Sequence, residues 1–180
     1  MIILVGASAS GKTELAKILY LKFGYKKCIT TTTRAPRHNE IDGRDYHFIT
    51  QKQFHDLIEE DAFVEVTHYN QQSYGLQRKD VLDQGIVIVD PQGANTLVEK
   101  LNHLAYVVFV SSNENIRQSR MLSRGDDIDK IVQRLTIDRE VFLIDKFSRL
   151  NLIIENEHEP LEKYATKIHE AYQMYLAKTK

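Results

Sequence analysis

The sequence predicts a parallel α/β fold, with helices on both faces of the sheet, an inserted β-rich lobe and a short lid. Three observations predict it. Short apolar runs at residues 2–5, 86–89, 106–110 and 150–154 suit strands buried on both faces. Segments with helical apolar spacing separate most of them, the alternation expected of a parallel sheet. Between the first and second of these apolar runs, residues 29–82 change character, with a threonine run, a basic stretch and alternating aromatics that read as β structure.

The elements follow in order. Residues 2–5 form a strand ending at Gly6. Residues 12–23 carry Leu15, Ala16, Ile18, Leu19 and Leu21 at helical spacing, and Gly24 supplies a stop. The segment 28–50, with Asp42-Gly43 and then Tyr46 and Phe48, predicts a hairpin-like arrangement. A short helix is expected over 51–60 and a strand over 62–68. The strand 86–89 ends at Asp90, and helices are expected over 92–102, 113–123 and 129–146. The polar stretch 124–130 reads as a mobile flap. After the strand at 150–154, Pro160 falls in the first turn of a last helix, where its missing N–H is harmless. Leu161, Tyr164, Ala165, Ile168, Tyr172, Tyr175 and Leu176 give that helix one apolar face.

Composition bounds the rest. With 42% hydrophobic and 27% charged residues over 180 positions, the chain can bury the core of one domain. A net charge of −1 provides no global field for nucleic acid or anionic membrane. The single cysteine, Cys28, excludes an intramolecular disulfide and gives no metal-ligand set. The opening residues lack a secretory pattern, and no apolar run approaches the ~20 residues of a membrane span. A cytoplasmic protein, monomeric or a small homo-oligomer, is expected.

Residues 6–13 read Gly6-Ala7-Ser8-Ala9-Ser10-Gly11-Lys12-Thr13, the GxxxxGKT pattern between a predicted strand and a predicted helix. Such a P-loop wraps an anion with backbone N–H groups, and the following helix aims its N-terminus at the phosphates. Lys12 supplies a point charge, and Thr13 offers a hydroxyl to Mg²⁺. The loop points to nucleoside triphosphate without saying which reaction follows. Arg34 and Arg37 flank the proline-containing turn at Pro36 and make a second anion site, since a guanidinium fork matches phosphate oxygens. Taken alone, this stretch reads equally as a solvated basic hairpin.

The segment resembles the acceptor-binding region of guanylate kinases, S-x-T-T-R-x-P-R followed by E-x-x-G-x-D-Y-x-F. Thr32-Thr33-Arg34-Ala35-Pro36-Arg37, Glu40, Gly43, Asp45-Tyr46 and Phe48 match it. Phe63-Val64-Glu65, Tyr74-Gly75, Asp90-Pro91-Gln92-Gly93, and Arg120, Arg124-Gly125 and Arg134 resemble further family motifs in the same order. The resemblance spans nearly the whole chain. It implies a core of residues 1–28 and 83–180, an acceptor-binding lobe of about 29–82 and a lid of about 124–133.

The resemblance also implies roles. Arg34, Arg37, Tyr46 and Tyr74 would hold the acceptor phosphate, Glu65 would accept from a guanine-like N–H edge, and Thr30 would stand at a base-bonding serine position. Asp90 would lie near the base and, through water, the metal. Arg120, Arg124 and Arg134 would close over the transferring phosphoryl group. Asn156, followed here by Glu157, falls where the family's N-D pair approaches adenine. Without the family, Glu65 reads as the outward position of an alternating strand, Tyr46 and Tyr74 as core aromatics, and Arg120 and Arg124 as a solvated helix stripe. His38 and His68 have no metal-ligand spacing.

The chain departs from the pattern in places. Leu76 stands where the family has a base-reading Ser or Thr, Ile88 replaces an acid two before Asp90, and the stretch between Tyr74 and Asp90 is shorter. Ala9 replaces a common glycine. The expectation is an ATP- and Mg²⁺-dependent nucleoside monophosphate kinase with GMP the favoured acceptor. The alternatives are a kinase of the same fold for another phosphorylated acceptor, such as a ribose phosphate, and a non-catalytic binding module.

Overall fold

The structure, a computed structural model, describes residues 1–179. Its core is a five-stranded parallel sheet in the order β2-β7-β1-β8-β9. The strands are β1 (Ile2–Val5), β2 (Lys26–Lys27), β7 (Gly85–Ile88), β8 (Tyr106–Ser111) and β9 (Leu152–Glu155). The period of two explains why β1 is wholly apolar. Ile2 and Leu4 join the cluster of Leu15, Leu19, Ile168 and Tyr172 on one face, whereas Ile3 and Val5 join Leu97 and Val98 on the other. Fully burying each such side chain contributes about 1.5–3 kcal/mol.

The first face is covered by α1 (Lys12–Phe23) and α6 (Leu161–Thr179), the second by α3 (Pro91–Leu101). Gly24 ends α1 in the left-handed conformation, as expected of a stop signal. Leu21, named above among the apolar positions at helical spacing, is 89% exposed. The helical period carries it past the stripe of Leu15 and Leu19. Pro160 stands just before α6, one residue outside the helix and not in its first turn as expected.

The inserted lobe is a four-stranded sheet, β4-β3-β6-β5, from β3 (Thr31–Thr32), β4 (His47–Phe48), β5 (Phe63–Tyr69) and β6 (Gln72–Gln77). The expected hairpin over 28–50 does not form: β3 pairs parallel with β4 and antiparallel with β6. The intervening residues make a wide loop around Glu40, whose carboxylate accepts from Arg34 and from the Arg37 N–H. Asp42-Gly43 turns within that loop, where the Gly43 N–H donates to the Tyr46 carbonyl. The actual hairpin is β5–β6, through Asn70 and Gln71 at φ 48° and 62°. Both central residues are left-handed, the geometry of a two-residue turn that follows strand twist. Val64 and Leu76 anchor this hairpin on Leu97 and Val98 of α3. Helix α2 (Gln51–Glu59) is fixed by a Thr50/Gln53 capping box and by Phe54 stacked on Phe63.

Helices α4 (Glu114–Ser123) and α5 (Ile128–Val141) pack through Met121, Ile131 and Leu135, with Ala9 against them. Helix α5 begins one residue early and ends five residues before the expected boundary at 146, a short 3-10 turn covering Ile144–Lys146. Phe142 leaves the helix to pack edge-on against Tyr69, so tertiary packing overrides local propensity. No helix among the described residues is long and apolar enough to cross a membrane.

Candidate active site

The phosphate loop joins β1 to α1, and both of its motif glycines are sterically required. A Cβ on Gly6 would lie 2.1 Å from the Val110 carbonyl oxygen, and one on Gly11, at φ 101°, would lie 2.2 Å from Asn156 Nδ2. Ala9 takes φ 59°, a conformation that glycine adopts more freely. Helix α1 has no side-chain cap at its N-terminus, leaving its first N–H groups facing the loop. Lys12 Nζ donates to the carbonyls of Gly6 and Ala7. Burial lowers its pKa to about 8, against the raising effect of Asp138 and with Arg117 and Arg37 pushing the same way as burial.

Across the cleft stand the lobe residues. The Arg34 guanidinium lies over the rings of Tyr46 and Phe48, 5.3 and 5.7 Å from their centroids, and its Nη2 is 2.9 Å from both Glu40 oxygens. Aromatic faces and a carboxylate thus aim the fork before any anion arrives. Tyr74 meets Tyr46 edge-on at 6.4 Å. Arg37 is half-exposed, its guanidinium 3.8 Å from Glu40.

The α4–α5 pair supplies further cations. Arg120 Nη1 donates to the Ala9 carbonyl at 3.1 Å and its Nη2 to the Asn156 carbonyl at 3.2 Å, fastening it to the phosphate loop. Arg124, the C-cap of α4, and Arg134, on α5, share the carboxylate of Asp126. The Arg124 bond holds that carboxyl below its usual range.

Glu65 is 2% exposed, and neither carboxylate oxygen has a partner. Burial, then the neighbouring charge of Asp90, raises its pKa to about 8 against the weaker lowering effects of the nearby Leu76 main chain, which falls short of hydrogen-bond geometry, and of Lys100. A Cβ on Gly93 would sit 2.9 Å from Glu65 Oε2, so the glycine of Asp90-Pro91-Gln92-Gly93 makes room for the acid. Asp90 caps α3 by accepting from the Gly93 N–H at 2.8 Å, and burial raises its pKa despite that bond.

One cleft brings together Gly6, Ser8, Ala9, Gly11, Lys12 and Thr13 with Thr30, Arg34, Arg37, Tyr46, Glu65, Tyr74, Asp90, Arg120, Arg124 and Arg134. Ala7, Ser10 and Asn156 do not line it. Asn156 is buried beneath the loop, its Nδ2 donating to the Ser10 carbonyl at 2.8 Å, so the structure gives it a bracing contact instead of a place on the cleft wall. Leu76 is likewise absent from the wall; it is fully buried in the cluster against α3. Ile88 does line the cleft.

Sequence reasoning matched Glu40 to the motif without giving it a role, and missed Asp126, the other carboxylate that holds these cations, and a buried group formed by Tyr69, Arg117 and Asp138. A signal for the last existed. Asp138 continues the buried stripe of Ile131 and Leu135 on α5, and Arg117 stands four before the buried Met121 on α4, so charge falls where apolar residues are expected.

The guanylate kinase family model matches residues 1–175. The chain belongs to the guanylate kinase family. The "Guanylate kinase" of Hyphomonas neptunium is 33% identical over 167 residues, covering 87% of this chain and 76% of the relative. That of Helicobacter pylori is 30% identical, covering 91% and 81%. The crystal structure of guanylate kinase from Anaplasma phagocytophilum aligns with a TM-score of 0.70 over 97% of this chain and 85% of that chain; at 20% identity it speaks for the fold alone. Family membership makes the chain a phosphotransferase, and the α/β core with parallel sheet matches that family's fold.

Proposed function

We propose that the chain transfers a phosphoryl group from ATP to GMP, giving GDP and ADP, with the core at residues 1–28 and 83–180, the acceptor lobe at about 29–82 and the lid at about 124–133. One observation carries the choice of acceptor: the buried carboxyl of Glu65 has two unpartnered oxygens in the cleft that also holds Lys12 and the arginines. A buried polar group left unpaired costs about 1–3 kcal/mol. Two adjacent N–H donors on a ligand relieve that cost and favour the ionised form, and a guanine edge offers such a pair.

Phosphoryl transfer asks for positioning and charge neutralisation more than covalent chemistry. Loop amides and Lys12 hold the donor phosphates. Arg34, Arg37, Tyr46 and Tyr74 hold the acceptor phosphate. Arg120, Arg124 and Arg134 neutralise charge on the transferring group and help exclude water. Thr30 faces the base beside Glu65. No group of three metal-ligating side chains occurs among the described residues, whereas Thr13 offers a hydroxyl and Asp90 a carboxylate to the cleft. That donor set fits Mg²⁺, which keeps waters and phosphate oxygens as ligands. Thr13, with Asp90 through water, would hold the ion, and it would neutralise charge on the donor phosphates. The protein acts in the cytoplasm, as a monomer or small homo-oligomer.

The test is an acceptor panel of GMP, AMP, UMP and ribose phosphates with ATP and Mg²⁺. GMP is expected to be turned over best, and Glu65→Gln to lower kcat/KM for GMP by about 100-fold, the loss for one buried charged acceptor. Preference for another acceptor, or an indifferent Glu65→Gln, contradicts the assignment.

A further inference from the structure

Asp138 is the most deeply buried charged residue beside the phosphate loop, its side chain wholly inaccessible. One carboxylate oxygen accepts from the Ser8 backbone N–H at 2.8 Å and from Arg117 Nη1 at 3.0 Å. The other accepts from the Tyr69 hydroxyl at 2.6 Å. The Tyr69 and Ser8 hydroxyl oxygens are themselves 3.5 Å apart, and Phe142 packs edge-on against the Tyr69 ring. Three separate parts of the fold therefore meet at one carboxylate: the phosphate loop, the lobe strand β5, and the α4–α5 pair.

We propose that Asp138 is a positioning residue for phosphoryl transfer: it clamps Tyr69, at the end of β5, to Ser8 of the phosphate loop and so fixes the spacing between the acceptor and donor pockets. The pattern of β5 makes this consequential. Glu65, Thr67 and Tyr69 alternate onto the cleft side and all line it. A strand fixed at Tyr69 presents Glu65, four residues earlier, at a set distance from the loop that holds the donor phosphates. A buried ion pair such as Arg117–Asp138 is in itself a weak source of stability, because desolvation offsets most of the attraction. Its contribution here is geometric: a hydroxyl, a main-chain N–H and a guanidinium converge on one carboxylate only when lobe, loop and lid helices stand in one arrangement. In-line transfer is sensitive to such spacing, and a misplacement of ~1 Å can lower the rate by about 100-fold.

This inference rests on the two-pocket reading above, and the test separates the two. Tyr69→Phe removes one hydroxyl and keeps the ring; Asp138→Asn removes the charge. With ATP and GMP, Tyr69→Phe is expected to lower kcat about tenfold with both KM values little changed, the signature of lost transition-state alignment. The double variant is expected to lose less than the sum of the two single losses, because both changes weaken the same Tyr69–Asp138 bond. Exchange of the Ser8 amide, followed by NMR without substrates, is expected to quicken in both single variants. A Tyr69→Phe enzyme with parental kcat, losses confined to KM, or additive losses overturns the clamp. A parent that does not phosphorylate GMP sinks the proposed function instead, and the clamp is then decided by Ser8 exchange: parental rates in Tyr69→Phe overturn it, faster ones support it.

Discussion

Glu65 is held in the fold with its carboxyl desolvated and unpaired, and its behaviour with pH follows from that. Its pKa is raised from 4.5 to about 8, so the unfolded chain ionises first. The resulting destabilisation is absent at acid pH, grows as pH rises above 4.5, and levels off past about 8. Replacing Glu65 with Gln removes a charge that folding disfavours. The variant is expected to be more stable than the parent by roughly 4 kcal/mol at pH 8 and equal to it near pH 4, read by urea unfolding at both pH values. In the free enzyme, kcat/KM for GMP should rise as pH approaches 8 and more carboxylate forms. A residue that weakens the empty protein while completing a ligand site is legible in sequence only through its motif, since Val64-Glu65-Val66 alone reads as an outward strand position.

At the scale of elements, the α4–α5 pair carries its own counter-ion. Asp126 bonds both Arg124 and Arg134, with its pKa depressed by the Arg124 bond. An internal carboxylate orients the guanidiniums but competes with phosphate for them. Asp126→Asn is expected to lower KM for ATP several-fold while reducing the melting temperature by a few degrees, consistent with about 1 kcal/mol for a partly exposed charged pair. Steady-state kinetics and thermal unfolding check both halves; an unchanged KM contradicts the competition. Four of the five core strands were readable because each is largely an apolar run, whereas β2, the pair Lys26–Lys27, offers no apolar residue and was not foreseen. The lobe was less so. β6, with Gln72, Ser73 and Gln77, lacks the apolar density of a core strand, and its turn uses Asn70-Gln71 without glycine. The parallel pairing of β3 with β4 depends on the loop around Glu40, whose ion pairs no local pattern announces.

Across the whole molecule, the lobe and core meet at one end through Val64 and Leu76 against α3 and, at the other, through Tyr69 against Asp138 and Ser8. The phosphate loop was legible because its chemistry lies in consecutive residues. The Tyr69–Asp138 contact joins positions 69 residues apart, and Ser8–Asp138 joins positions 130 apart, separations at which spacing along the chain carries no signal. Leu76 illustrates the converse. A position singled out in sequence for base reading is turned into the core, whereas Ile88 does face the cleft. The most direct measurement is turnover of GMP by the purified chain with ATP and Mg²⁺, beside Lys12→Met. The account predicts GDP formation by the parent and a folded variant slower by at least about 1,000-fold, since one charge on the transferring phosphates is lost. A Lys12→Met protein as active as the parent would contradict it.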